Sequence, residues 1–72
     1  MLVEIENGDY IRADMITEVS VFTDTQLEVS YVLYGVSDED DYRMLDSEYK
    51  SFDEAKQVAD ALAERINKVL GR

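Results

Sequence analysis

The sequence predicts an α+β domain: an antiparallel β-meander of about five strands with one C-terminal α-helix packed on one face. Three observations carry that expectation. Residues 2–49 break into short stretches of β-branched and aromatic residues alternating with charged ones, separated by turn signals. Residues 52–70 instead space their apolar side chains three and four apart, behind a serine and ahead of a glycine. The charge divides at the same place: residues 1–50 hold thirteen Asp/Glu against Arg12, Arg43 and Lys50, whereas residues 51–72 hold four acids and four bases. One apolar sheet face and one apolar helix stripe require each other, which gives two layers in a single domain spanning residues 1–72.

Leu2–Glu6 alternates Val3 and Ile5 with Glu4 and Glu6, a strand pattern, and Asn7-Gly8 is the turn signal. A two-residue turn would set Glu4 against Ile11. A three-residue loop, Glu6-Asn7-Gly8 with Gly8 left-handed, pairs Val3 with Ile11 and Glu4 with Tyr10, keeping like against like. Ala13-Asp14-Met15 reads as a corner. Ile16–Thr23 follows as a strand with Val19 and Val21 on one face and Glu18, Ser20 and Phe22 on the other. Gln26–Tyr34 comes next, with Leu27, Val29, Tyr31 and Leu33 alternating against Glu28, Ser30, Val32 and Tyr34. A three-residue loop, Asp24-Thr25-Gln26, then pairs Val21 with Val29 and Val19 with Tyr31. Gly35–Asp41 is a polar connection, and Tyr42–Tyr49 returns as the last strand, matching Leu45 to Leu33 and Tyr49 to Val29.

Ser51-Phe52-Asp53-Glu54 reads as a capping box, with Ser51 at the N-cap, Glu54 three residues on, and acids where the helix dipole favours them. The helix runs to about Leu70, placing Phe52, Ala55, Val58, Ala59, Leu62, Ile66, Val69 and Leu70 in the core, and Gly71 stands at the C-terminal stop.

Seventy-two residues bury only about 60% of the surface that the unfolded chain exposes, so the core is thin. The chain has no Cys and no His, so disulfide or zinc staples are not expected, and a homodimer becomes an open expectation. The N-terminus lacks the basic and apolar regions of a signal peptide, and absent cysteine fits a reducing, cytoplasmic compartment. The longest uncharged apolar stretch, Val29–Val36, is far short of a membrane span. A formal net charge of −10 opposes direct contact with nucleic acid and with anionic membranes.

Without His or Cys the commonest general base, metal ligand and nucleophile are missing, and the serines have no basic partner at a recognisable spacing. No glycine-rich phosphate loop occurs. The expectation is therefore no enzyme, no cofactor and no catalytic or metal residues. Asp38, Glu39, Asp40 and Asp41 offer oxygen ligands to a divalent cation, but the run lacks the EF-hand glycine and closing glutamate, so it reads as a solvated acidic loop.

The predicted outer sheet face carries Glu4, Glu18, Glu28, Asp46 and Glu48, with Arg12 as its clear base. Acids two residues apart on a strand stand roughly 6.6–6.8 Å apart, close to the phosphate repeat of a nucleic-acid strand. Tyr10, Phe22, Val32, Tyr34, Tyr42 and Met44 fall on the same face, and an apolar patch rimmed by acids marks an interface. The expected function is a small binding or regulatory module that engages another protein, one with a basic surface, through Glu18, Glu28, Val32, Tyr34, Tyr42, Met44, Asp46 and Glu48. The alternative is a nucleic-acid-mimic inhibitor of phage or mobile-element type that blocks a basic nucleic-acid-binding surface.

Asn7-Gly8-Asp9-Tyr10-Ile11, then Ala13-Asp14-Met15-Ile16 and Glu18-Val19, resembles the opening of the small flagellar FlbD-like proteins: strand, Asn-Gly turn, strand and an acid-x-Ile corner. Ser51–Asn67 is similar to the serine-capped helix that closes many small sheet-plus-helix proteins of phage and bacterial genomes. The resemblance implies the fold and transfers no site residues. The acidic loop and the high negative charge depart from the flagellar pattern.

Overall fold

The alternation at the N-terminus produces the hairpin it predicts. In the computed structural model, which describes residues 1–5 and 8–71, β1 (Leu2–Glu4) and β2 (Tyr10–Arg12) run antiparallel, with Val3 opposite Ile11 and Glu4 opposite Tyr10. The Ile5 N–H donates to the Asp9 carbonyl at 2.8 Å, and Gly8 takes the left-handed φ of +90° that the turn requires. Glu6 and Asn7, the other two residues assigned to that loop, lie outside the described residues. The register turns Val3 and Ile5 into the core. A 3-10 turn over Ala13–Met15 forms the corner, with Ala13 wholly buried and Arg12 paired on the surface with Asp14 at 2.8 Å.

β3 (Ile16–Asp24), β4 (Val29–Val36) and β5 (Arg43–Met44) form an antiparallel sheet in that order. The five strands thus follow one another along the chain but hydrogen-bond as a hairpin and a three-stranded sheet. The hairpin between β3 and β4 corrects the expected register. The turn takes four residues, 25–28, and Val21 lies opposite Val32, Val19 opposite Tyr34 and Phe22 opposite Tyr31. The Asp24 carboxylate is the cause: its Oδ1 accepts from the Gln26 N–H at 3.0 Å and the Leu27 N–H at 3.1 Å, drawing both into the turn. Glu28, expected within the strand, closes the turn at φ +56°.

Because side chains alternate across a strand, this shift turns β4 over. Val32 and Tyr34, expected on the open face, are 0% and 5% exposed and belong to the core, while Tyr31 and Leu33 move outward. β4 is apolar on both alternations, so hydrophobic pattern alone does not choose between its faces. Ser30 is also turned inward, and its hydroxyl bonds with that of Thr23 at 3.0 Å, so the buried polar group is satisfied. A bulge at Ile16–Glu18 absorbs the change of register at the other end of β3.

The last strand is shorter than the expected Tyr42–Tyr49. Only Arg43–Met44 is regular, with Met44 opposite Leu33. The chain then leaves the sheet and returns at Tyr49, which exchanges backbone hydrogen bonds with Ser30 at 2.7 and 2.9 Å. Leu45 donates to the Val32 carbonyl at 2.9 Å and is buried.

α1 spans Phe52–Val69, with the Ser51 hydroxyl accepting the Glu54 N–H at 3.2 Å as the capping motif requires. Ala55, Ala59, Leu62 and Ile66 form its buried stripe, packed against β1, β3 and β4. Gly71 ends it at φ +76°. Phe52 and Val69, expected in the core, are instead 52% and 37% exposed. As the first helical residue, Phe52 stands one turn ahead of Ala55 and on the flank of the stripe, beside the β3 edge.

The register has a direct test. Val32→Thr places a hydroxyl in the core and should lower stability by about 1–3 kcal/mol. Leu33→Thr, on the open face, should cost clearly less. Urea melts showing the reverse order would contradict the facing of β4.

Candidate protein-interaction surface

The face of the three-stranded sheet turned away from α1 is an aromatic and aliphatic surface with acids at its margin. β3 contributes Glu18, Ser20 and Phe22; β4 contributes Val29, Tyr31, Leu33 and Gly35; β5 contributes Met44. Phe22 and Tyr31, directly opposed across the strands, stack with ring centroids 6.4 Å apart and planes inclined by 21°. Phe22, Tyr42 and Met44 are each about half exposed. Large apolar side chains therefore crowd one open sheet face.

Two of the marginal acids are tied to this surface by tyrosine hydroxyls. The Tyr42 hydroxyl donates to Glu18 Oε2 at 2.7 Å, and the Tyr31 hydroxyl donates to Glu48 Oε1 at 3.4 Å. The hydrogen bond to Glu18 holds the Tyr42 hydroxyl above its usual ionisation range. The Tyr31 hydroxyl is raised chiefly by loss of water and then by the charge of Glu48. The short bond to Glu18 orients the Tyr42 ring, the longer one to Glu48 is a weak tie on Tyr31, and both carboxylates remain exposed beside an apolar surface.

Gly35 gives Tyr42 its place. A Cβ at that position would stand 2.8 Å from Thr17 Oγ1 and 3.4 Å from the Tyr42 ring. The bare backbone accommodates both the β3 bulge and the aromatic ring lying across the sheet. Gly35 itself is buried.

Of the residues expected at the interface, Glu18, Tyr42, Met44 and Glu48 are brought together on this face. Asp46 is exposed just beyond β5. Val32 and Tyr34 are in the core on the opposite face, and Glu28 stands in the β3–β4 turn rather than on the strand. Tyr31 and Leu33 take the positions expected of Val32 and Tyr34. The signal that would have found them is the Asp24 turn, because its length sets the parity of β4.

The acidic loop is divided as well. Glu39 accepts from Arg43 Nε with both oxygens, at 2.7 and 3.0 Å, and this pairing raises the Arg43 pKa, with Tyr34 contributing second. Asp38, Asp40 and Asp41 are exposed. Among the described residues no three or more acids converge as a metal cage would require. A groove of about 260 Å³ between β2 and the far end of β4 is lined by Arg12 and Arg43, whose charges are engaged by Asp14 and Glu39. No helix among the described residues is long and apolar enough to cross a membrane. No family model, curated protein or solved structure matches the chain.

Two measurements probe this surface. Gly35→Ala should destabilise by about 1–3 kcal/mol through overpacking, and Thr17→Ala in the same chain should recover part of the loss; equal melting midpoints for wild type and Gly35→Ala would show that the contact is slack. In a spectrophotometric titration, Tyr42 should ionise above the ordinary tyrosine value of 10.0, and Glu18→Ala should bring it back down. Since the folded pKa is raised, the stability from this contact is complete below the ordinary tyrosine range and is lost as pH rises through the folded value. A Tyr42 titration unchanged by Glu18→Ala would break the link.

Proposed function

We propose that the protein is a non-enzymatic binding module whose outer sheet face docks a protein with a basic surface. The observation that supports it most is the stacked Phe22–Tyr31 pair, flanked by Tyr42 and Met44 and edged by Glu18 and Glu48. A contiguous apolar patch with a polar margin is the anatomy of a protein interface. Tyrosine is suited to its centre, being large, amphipathic and inexpensive to order. The charge supplies the other half of the complementarity, since a chain of net −10 attracts a cationic partner and steers its approach.

The nucleic-acid-mimic alternative asks for carboxylates displayed in place of phosphates. It fits this face less well, because the centre is apolar and Glu18 and Glu48 are each engaged by a tyrosine hydroxyl.

Affinity capture from the native source with matched variants separates the two. A partner held by this face should be retained by the wild type and lost by both Tyr31→Ala and the Glu18→Lys, Glu48→Lys pair. As a central residue, Tyr31 should cost about 2 kcal/mol or more, roughly thirtyfold in Kd, when cut to alanine. Retention of the same protein by every face variant would overturn the proposal. A complex abolished by salt yet indifferent to Tyr31→Ala would support the mimic instead.

A further inference from the structure

The β3 edge of the sheet carries a second feature. Ser30 and Val32 direct their backbone hydrogen bonds to Tyr49 and Leu45. By the antiparallel alternation, Val29, Tyr31 and Leu33 therefore serve β3, bonding with Asp24, Phe22 and Ser20. The N–H and C=O groups of Val19 and Val21 consequently point away from β4. No strand follows in the sheet order, and these groups meet no backbone partner among the described residues. β3 is thus a nine-residue edge strand whose charges, Glu18 and Asp24, and whose bulge at Ile16–Glu18 fall toward its ends, leaving Val19–Thr23 as an uncharged stretch open to pairing.

The edge opens onto a groove of about 210 Å³ between β3 and α1, walled by Val19, Val21, Ala59 and Ala63, with the exposed Phe52 ring at one end. Lys56 and Asp60, paired with each other, leave this flank of the helix neutral. In a chain of net −10 it is a place where a second copy meets little electrostatic opposition. The acid-edged outer face offers a like-charged copy the reverse.

We propose that the protein forms a two-fold homodimer by antiparallel pairing of β3 with β3 of a second copy about an axis at Ser20. This register sets Val19 against Val21 of the partner copy and Val21 against its Val19. Each pair is of the hydrogen-bonded type, because both residues offer their N–H and C=O outward. It joins two three-stranded sheets into one of six strands with both helices on the same side. α1 runs antiparallel to β3, so Phe52 lies toward the Val21 end, and Ala63 extends on toward Ile16. The two-fold therefore brings each Phe52 to the small Ala59–Ala63 surface of the other copy, a projection and a recess on one self-complementary patch. The pairing also covers the exposed half of Phe52 and enlarges the thin core of a small domain.

Sedimentation equilibrium, with amide exchange by NMR, tests it. The wild type should sediment at twice the 8.3 kDa chain mass, with the Val19 and Val21 amides slow to exchange when concentrated and fast on dilution. Val21→Pro removes an outward N–H and no bond to β4, and should shift the mass to that of the monomer. Phe52→Asp places an acid at the first helical position, which suits the helix dipole, and should do the same with helical circular dichroism retained. If Val21→Pro does not fold, Phe52→Asp and the amide exchange decide alone. Tyr31→Ala, on the outer face, should leave the dimer intact. A monomeric wild type at every concentration, a dimer that survives Phe52→Asp, or dissociation by Tyr31→Ala would each overturn the proposal.

Discussion

The rest of the molecule depends on the register of β3 against β4, with Val21 opposite Val32. Its local determinant is the Asp24 carboxylate, which holds the Gln26 and Leu27 amides and lengthens the turn to four residues. Moving from three loop residues to four changes the parity of every side chain on β4. Val32 and Tyr34 then meet Leu62 and Ile66 of the helix layer in the core, and Tyr31 and Leu33 are left to the open face. The same register brings Gly35 beside the Thr17–Glu18 bulge, where the missing side chain gives Tyr42 room to lie over the sheet.

The two faces of the sheet solve different problems. The inner face is apolar, and Ser30, the buried polar residue among the described residues, is satisfied by Thr23. The outer face keeps large apolar rings in water, with Phe22 stacked on Tyr31 and two tyrosine hydroxyls anchored by Glu18 and Glu48. The bond to Glu18 orients Tyr42 and the stacking on Phe22 orients Tyr31 without burying either ring, and ordered aromatic surface is what a partner can use at small entropic cost. Charge sorts the surfaces further. The acids gather at the outer face and the connection after β4, where Glu39 is committed to Arg43, while the helix flank along the β3 edge is internally balanced by Lys56 and Asp60. The proposed heterotypic contact lies on the open face and the homotypic one along the β3 edge and the helix flank; they adjoin on β3, where Glu18 of one copy would stand opposite Phe22 of the other.

Much of the architecture was legible in residue order. The serine cap, the middle of the helix stripe (Ala55, Ala59, Leu62 and Ile66), the glycine stop and the first hairpin register each rest on local chemistry, and each is found where the pattern puts it. Phe52 and Val69, toward the stripe's two ends, are exposed. The candidate surface was legible in part. Glu18, Tyr42, Met44 and Glu48 stand on strands or segments whose facing survives the register change, so they meet as expected. Phe52 escaped the core because a position next to a stripe is not in it, and the sheet beneath the helix decides where burial ends.

By itself the sequence determined the element types, their antiparallel order, the helix boundaries and the separation of an acidic sheet region from a neutral helix. Those follow from side-chain period, turn residues and charge, which act over a few residues. Only the tertiary structure decided which face of β4 is the inside, because Val29–Val36 is apolar on both alternations and offers no local preference. The Asp24 turn supplies the local part of that choice, and the bulge at Ile16–Glu18, the bare Gly35 and the packing of Val32 and Tyr34 into the core supply the part that acts across the sheet. Through that choice, tertiary packing put Tyr31 rather than Tyr34 on the surface that a partner would meet.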